Sequence, residues 1–162
     1  MSKAAATSGE IAVSGSDSVV IRCGARIVKG HLEWPRWSAA DGEAPSADGQ
    51  ACDVFRVRNL ETNVMEEIPA GEISAVFFVG DFTGDPERCD LRFHAQEQVL
   101  PGIWIQVKFF NGEVIEGVVE NSIRYLADPG FFLRPTDPGS NNKLVYVMKS
   151  AIVEHHVLGV TR

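Results

Sequence analysis

The sequence predicts an all-β protein built from two similar small barrels in tandem. The main observation is an internal repeat, in which the same order of five apolar segments occurs in residues 18–80 and again in residues 103–160. These segments are rich in Val, Ile and Phe and are bounded by Gly, Pro, Asn and Asp, as strands and their turns are. No segment longer than about ten residues has a convincing helical period. Two domains of about 60 residues would pack on each other, because each buries too little surface alone.

The first two segments of each unit surround a tight turn. Gly24–Leu32 aligns with Asn111–Val119, and the alignment places Gly30 over Gly117. Asn111-Gly112 between apolar runs is a strong hairpin signal, since both residue types tolerate positive φ. A glycine inside the second strand of each unit predicts a sharp bend, where a small sheet curls.

The remaining segments recur in the same order. Phe55–Arg58 parallels Phe131–Arg134, Val64–Ile68 parallels Leu144–Val147, and Ala70–Val79 aligns with Lys149–Leu158. Each unit is therefore predicted as strand, tight turn, strand, loop, strand, turn, strand, short helical turn and strand.

The repeat divides the chain into four predicted parts. Residues 1–17, rich in Ala, Ser and Gly, are expected to form a flexible tail. Residues 18–80 form the first barrel, in which the stretch 37–50 is a mobile insertion relative to the second unit. A linker at residues 81–102 leads to the second barrel at residues 103–160.

Two resemblances extend this interpretation. Five strands with a bend in the second and a helical turn before the fifth resemble small barrels of the SH3-like and Sm-like kind, which implies two tandem five-stranded SH3-like/Sm-like barrels. The chain is also similar to an uncharacterised bacterial domain family, through Lys29-Gly30, Ala75–Pro86, Asn111-Gly112 and Phe132–Pro135. The second resemblance covers most of residues 19–158. It implies a bacterial origin but no known activity.

Charge restricts the partners. The net charge is −7 and the isoelectric point about 5.1. An acidic surface repels phosphate backbones and anionic lipid headgroups. Nucleic acid is therefore disfavoured as a partner, and no membrane partner is expected.

The cysteines and the absence of targeting signals indicate a compartment. Cys23, Cys52 and Cys89 are odd in number and include no Cys-x-x-Cys pair, as expected for reduced cytosolic thiols. The first residues lack the basic and apolar regions of a secretory signal. No apolar run approaches the roughly 20 residues that span a bilayer. We therefore expect a soluble, cytoplasmic protein.

No motif commits the chain to a reaction. It contains neither a Gly-x-Ser-x-Gly nucleophile turn nor a Walker or dinucleotide glycine signature. His155 and His156 are adjacent in a predicted strand, so they point to opposite faces and cannot bind one ion without a bulge. We expect no catalytic residue, no cofactor, no metal site and no enzyme activity.

Two arginines form a weaker candidate for ligand binding. Arg22 and Arg26 resemble the arginine pair with which PilZ-type barrels clamp a cyclic dinucleotide, since guanidinium groups suit phosphate. The second half of that motif, an Asp/Asn-x-Ser-x-x-Gly run, is missing downstream. The alternative is a pair of arginines on the surface of a hairpin.

Aromatic residues are the feature that most suggests binding. The candidate protein-binding or inter-domain residues are Trp34, Trp37, Phe77, Phe78, Phe82, Phe109 and Phe110. In the adjacent phenylalanine pairs, alternation along a strand sends one ring away from its own core. The outward rings either pack between the units or across a homodimer, or they form an exposed partner site.

These observations lead to a functional expectation. The chain is predicted to be a non-enzymatic protein-binding or regulatory adaptor module of a bacterial cytoplasmic system. Binding would use strand addition at a barrel edge or an aromatic groove. Two other functions stay open, a PilZ-like sensor of a cyclic dinucleotide and an Sm-like RNA binder, and the acidic charge disfavours the second.

Overall fold

Antiparallel β-structure dominates the chain. The computed structural model describes residues 17–35, 46–47, 50–51, 53–83, 101–137 and 140–161. Within these residues it contains twelve strands, one helix of five residues and two short 3₁₀ turns. The predicted all-β class is confirmed.

The strands are β1 (Asp17–Cys23), β2 (Arg26–Trp34), β3 (Ser46–Ala47), β4 (Gln50–Ala51), β5 (Val54–Asn59), β6 (Met65–Pro69), β7 (Ala75–Val79), β8 (Gly102–Phe109), β9 (Val114–Val119), β10 (Gly130–Pro135), β11 (Asn142–Met148) and β12 (Ile152–Thr161). The helix, α1, is Ile123–Ala127, and the 3₁₀ turns are Ala70–Glu72 and Lys149–Ala151. Nearly all of the predicted tail, most of the predicted insertion and most of the predicted linker lie outside the described residues.

Ten strands form one sheet in the order β12-β8-β9-β10-β11-β7-β1-β2-β5-β6, while β3 and β4 pair with each other. The first half of the chain contributes β1, β2, β5, β6 and β7, and the second half contributes β8 to β12. Counted within each half, the strand order is the same: fifth, first, second, third, fourth. The halves meet where β7, the fifth strand of the first half, pairs with β11, the fourth strand of the second.

Local turn chemistry explains the hairpins. The β1–β2 turn contains Gly24 at a φ of 60°, and the β8–β9 turn contains Gly112 at a φ of 84°. Glycine adopts these angles without a Cβ penalty. Asn63, in the β5–β6 turn, is the one non-glycine residue at positive φ in the described part of the chain. The hairpin predicted at Asn111-Gly112 is confirmed.

Two buried glycines allow neighbouring strands to approach closely. A Cβ on Gly30 of β2 would lie 2.1 Å from the backbone oxygen of Arg58 in β5. A Cβ on Gly117 of β9 would lie 2.4 Å from the backbone oxygen of Arg134 in β10. Both distances are far below van der Waals contact, so any larger residue forces the strands apart. The two glycines that the repeat aligns therefore have the same structural role.

Two apolar cores share one wall. The first core contains Val19, Ile21, Val28, Leu32, Phe55, Val57, Ile68, Ile73, Val76, Tyr146 and Met148. The second contains Ala75, Phe77, Ile105, Val107, Phe109, Val119, Phe131, Leu133, Val145, Val147 and Ala151. Because side chains alternate along a strand, β7 and β11 each supply residues to both cores. We call this strand pair the shared wall.

Because of the shared wall, the observed architecture differs from the predicted one. The sequence predicts two tandem barrels, whereas the structure is a single open sheet that continues from one half to the other. The reason lies in the edge of β7, which would be exposed in a separate unit. The edge of β11 covers it, and an exposed row of backbone N–H and C=O groups is thereby satisfied. None of the helices among the described residues is long and apolar enough to cross a membrane.

Candidate protein-binding edge

The outer edge of β12 is the longest exposed backbone edge that the structure describes. This ten-residue strand stands at one end of the sheet and, among the described strands, pairs with β8 alone. The amide of Phe109 in β8 donates to the Glu113 oxygen, so alternate residues of β8 bond to β9 and the others bond to β12. Applied to the β8–β12 register, this alternation directs the backbone groups of His155 and Val157 to the outer edge.

Apolar side chains accompany this edge. The exposed apolar side chains of this strand are Val153, Val157, Leu158 and Val160. Of these, Val157 is 58% exposed and Val160 is 63% exposed. Val157 lies opposite the buried Ile105, and Val160 lies opposite Ile103. The side chains of these two valines therefore lie on the same face of the sheet as the second core, at its solvent-exposed margin. Edges of this length and composition attract another strand unless something blocks them.

A polar pair and a short helix flank the same edge. The Tyr125 hydroxyl of α1 hydrogen bonds to Nε2 of His155, and the Tyr125 ring packs edge-on against Phe131 at 5.0 Å. Burial lowers the pKa of His155, and the nearby charges of His156 and Lys149 lower it further. Burial also raises the pKa of Tyr125.

The opposite face of β12 carries charged groups. Nζ of Lys108 donates to Oε1 of Glu154 at 3.1 Å, and Nε2 of His156 lies 3.6 Å from the second oxygen of that carboxylate. The hydrogen bond from Lys108 lowers the pKa of Glu154. His155 and His156 thus point to opposite faces, as alternation predicts. The described residues contain no group of three or more His, Cys, Asp or Glu side chains that could hold a metal ion.

β6 forms the other end of the sheet and has a different character. It has five residues, and in the part of the chain that the structure describes it pairs with β5 alone. The Val64 oxygen accepts from the Asn59 amide, and the Ala70 amide donates to the Asp53 oxygen. By alternation, the backbone groups of the intervening Met65 and Glu67 point outward.

Acidic side chains stand at the centre of β6. Glu66 accepts hydrogen bonds from Nδ2 of Asn59 and from Arg26, and these bonds lower its pKa. Glu67 accepts from Nε of Arg56 at 3.0 Å. The two ends of the sheet therefore differ, since β12 carries histidines where β6 carries glutamates.

The candidate phenylalanines are divided between the interior and the surface. Phe77 and Phe109 are buried in the second core, and Phe78 is partly buried beside the first core, with its ring 6.4 Å from that of Phe132. Phe110 is 75% exposed in the β8–β9 turn. Of the two adjacent pairs, only Phe109-Phe110 leaves a ring in the solvent.

Phe82 and Trp34, the other aromatic candidates that the structure describes, lie at β2 and not at β12. Phe82 packs edge-on against His31 with a centroid distance of 5.6 Å, and its carbonyl accepts from Nζ of Lys29 at 3.4 Å. Trp34 is exposed at the end of β2, and Trp37 lies outside the described residues.

The two candidate arginines have separate carboxylate partners. Arg22 pairs with Glu113 of the second half, and its guanidinium carbon lies 4.9 Å from the centre of the Phe77 ring. Arg26 pairs with Glu66. Arg22 therefore connects the two halves, and neither guanidinium is free of a counter-charge.

The comparison with protein families covers nearly the whole chain. A family model matches residues 15–159. The chain belongs to DUF6982, a family of unknown function. Neither the curated proteins nor the solved structures contain a significant match. The DUF6982 match includes both cores, the shared wall and both ends of the sheet, and it agrees with the expected resemblance to an uncharacterised family.

Proposed function

We propose that this DUF6982 protein is a protein-binding module that takes an extended segment of a protein onto the outer edge of β12. The observation that supports it most is the edge itself, which is ten residues long, paired on one side and lined by exposed valines. Strand addition of this kind uses backbone hydrogen bonds for affinity and side-chain contacts for specificity.

The side chains around the edge suit an extended segment that places an apolar residue beside the valines. Val157 and Val160 lie on the face that continues the second core, so an apolar residue opposite either of them would cover it. Ile123 and Leu126 of α1 are also exposed, and Tyr125 of the same helix contacts His155. Binding would cover these side chains together with the edge.

The alternative functions have less support. A cyclic dinucleotide needs arginines available to its phosphates, and Arg22 and Arg26 each already pair with a carboxylate. An RNA partner conflicts with the net charge of −7. Protein binding, by contrast, needs only the edge and the apolar side chains described above.

The experiment is a comparison of proteins captured from cell extract by wild-type protein, Val157→Pro and Val157→Thr. Proline removes the outward N–H of residue 157 and leaves the ladder with β8 intact, because that amide does not bond to β8. Threonine keeps the amide and the β-branched shape. We expect the threonine variant to capture the same proteins as wild type and the proline variant to lose them, with similar melting temperatures. Capture that is equally efficient with the proline variant would overturn the proposal.

A further inference from the structure

The outer edges of β6 and β12 are related by a pairing that already exists inside the chain. We infer that the segment which adds to β12 is β6 of a second copy, so that chains join head to tail. This inference rests on the proposed function of the β12 edge and names its partner. It starts from the shared wall, where β7 pairs with β11.

The strands at the two ends occupy the same positions in their halves as the strands of the wall. β6 and β11 are each the fourth strand of a half, and β7 and β12 are each the fifth. A 3₁₀ turn connects fourth to fifth strand both times, at Ala70–Glu72 and at Lys149–Ala151. Inside the chain, a fifth strand pairs with a fourth strand once, where β7 meets β11. Among the described residues, the same two edges are left uncovered at the ends of the sheet.

The residues of β6 and β12 whose backbone groups point outward occupy the same positions as the residues of β11 and β7 that hydrogen bond to each other in the shared wall. In the wall, Val76 lies opposite Tyr146, and Phe78 lies opposite Leu144. The Met148 amide donates to the Ser74 oxygen, and the Gly80 amide donates to the Asn141 oxygen, so these hydrogen bonds flank the two pairs. Because hydrogen-bonded and non-hydrogen-bonded pairs alternate along an antiparallel ladder, Val76–Tyr146 and Phe78–Leu144 are hydrogen-bonded pairs.

Counting back from the 3₁₀ turn, Tyr146 and Leu144 of β11 correspond to Glu67 and Met65 of β6. These are the two residues of β6 whose backbone groups point outward. In β12, His155 and Val157 point outward and correspond to Val76 and Phe78 of β7.

The register of the wall therefore places Met65 opposite Val157 and Glu67 opposite His155. It also brings Glu66 opposite His156. An apolar side chain meets an apolar one, and two acidic residues meet two histidines, which is the complementary arrangement for cross-strand neighbours. Each carboxylate keeps its partner within its own chain, Arg26 or Arg56, and has acceptor capacity for a second donor.

The intermolecular contact is expected to be weaker than the wall. Pro69 occupies the position of Met148 and lacks the N–H that Met148 donates to Ser74. The contact is also head to tail, because two different edges meet, and repetition gives a ring if the rotation closes and an open chain if it does not. Association should therefore increase with protein concentration.

Two proline variants test the inference by sedimentation velocity over a series of protein concentrations. Met65→Pro blocks the β6 edge and leaves β12 available, whereas Val157→Pro blocks the β12 edge and leaves β6 available. Wild-type protein is expected to form species larger than two chains at high concentration. Each variant alone is expected to remain a single chain, and an equimolar mixture is expected to form a species with one copy of each and nothing larger. Val157→Thr, which keeps the backbone donor, is expected to assemble as wild type does.

Several results would overturn the inference. One is a wild-type chain that stays monomeric at every concentration. Another is association that survives in either proline variant alone, which would indicate a different interface or a symmetric β12–β12 contact. A monomeric wild type whose capture of other proteins still depends on the β12 edge would overturn self-pairing and leave the proposed function standing. A wild type that neither assembles nor depends on that edge for capture would overturn both.

Discussion

Individual phenylalanines in this chain have opposite environments although they lie in similar adjacent pairs. Phe77 of β7 is buried in the core of the other half, whereas Phe110 extends from a turn into the solvent. Alternation explains that one ring of a pair leaves its own core. Alternation does not predict which side chains the outward ring contacts. The ring of Phe77 packs in the second core.

This difference predicts the effect of truncation. Phe77→Ala should lower the free energy of unfolding by about 3–5 kcal/mol, because it removes a buried ring and leaves a cavity. Phe110→Ala should change it by less than about 0.5 kcal/mol, as most surface substitutions do. Urea unfolding of both variants measures the two values. Equal losses would contradict the assigned environments.

His155 is the residue for which pH dependence is expected. Its pKa is lowered by burial and by the charges of His156 and Lys149, and its ring bonds to the Tyr125 hydroxyl. A folded-state pKa below the unfolded value of about 6.5 means that the unfolded chain binds protons first as pH falls. Stability present above about pH 6.5 should therefore be lost as pH falls through the folded pKa.

The measurement compares urea unfolding of dilute wild-type protein and His155→Gln at about pH 7.5 and pH 5.5, which lies above the ordinary range of carboxyl groups. Glutamine keeps a hydrogen-bonding side chain that does not titrate. Wild type should lose more stability on acidification than the variant. Equal losses would show that His155 does not carry the effect.

At the scale of single elements, β2 and β9 depend on the glycines at which neighbouring strands approach them closely. Gly30→Ala should destabilise the fold by about 1–3 kcal/mol, the usual cost of forcing atoms into a packed interior. The clash is with backbone, the Arg58 oxygen, which cannot rotate away. Gly71→Ala is the control, since a Cβ there meets nothing within 4 Å. Thermal unfolding of both variants measures the loss of stability. A loss as large in Gly71→Ala as in Gly30→Ala would contradict the role of close approach at Gly30.

Elements differ in how far their sequence determines them. The β8–β9 hairpin follows from Asn111-Gly112 and its apolar flanks, and the alignment of Gly30 with Gly117 follows from the repeat. α1 has no predicted counterpart, because five residues are too few to show a helical period.

The pairing of β7 with β11 could not be predicted either, although both strands could. Which distant edges meet is a non-local property, and the residues within each unit carry no information about it. The same limit applies to the candidate site. The sequence predicts a short helical turn and a last strand within Lys149–Leu158, but the position of that strand at the end of the sheet depends on the strands that pair elsewhere.

At the scale of the whole molecule, the shared wall predicts cooperative unfolding. Tyr146 and Met148 of the second half complete the first core, and Ala75 and Phe77 of the first half complete the second. Neither half keeps its core without the other. The chain should therefore unfold in one transition, as small cooperative domains do.

Tryptophan fluorescence can test this in each half separately. Trp104 lies in β8, whereas Trp34 and Trp37 belong to the first half. Trp104→Phe therefore leaves probes in the first half, and Trp34→Phe combined with Trp37→Phe leaves one in the second. Unfolding monitored by fluorescence and by circular dichroism should give coincident midpoints within each protein. Separate midpoints for the two probes would mean that the halves are independent.

The proposed role of the outer edge of β12 as an interaction edge of this protein is tested most directly by residue-resolved hydrogen exchange. The amides of Val76 and Phe78 serve as internal references, since β11 covers that edge in every chain. The amides of His155 and Val157 point outward and should exchange quickly in dilute protein. They should become protected as the protein concentration rises or a captured partner is added, while the reference amides stay protected throughout. Exchange at His155 and Val157 that is unchanged by concentration and by partner would contradict the account.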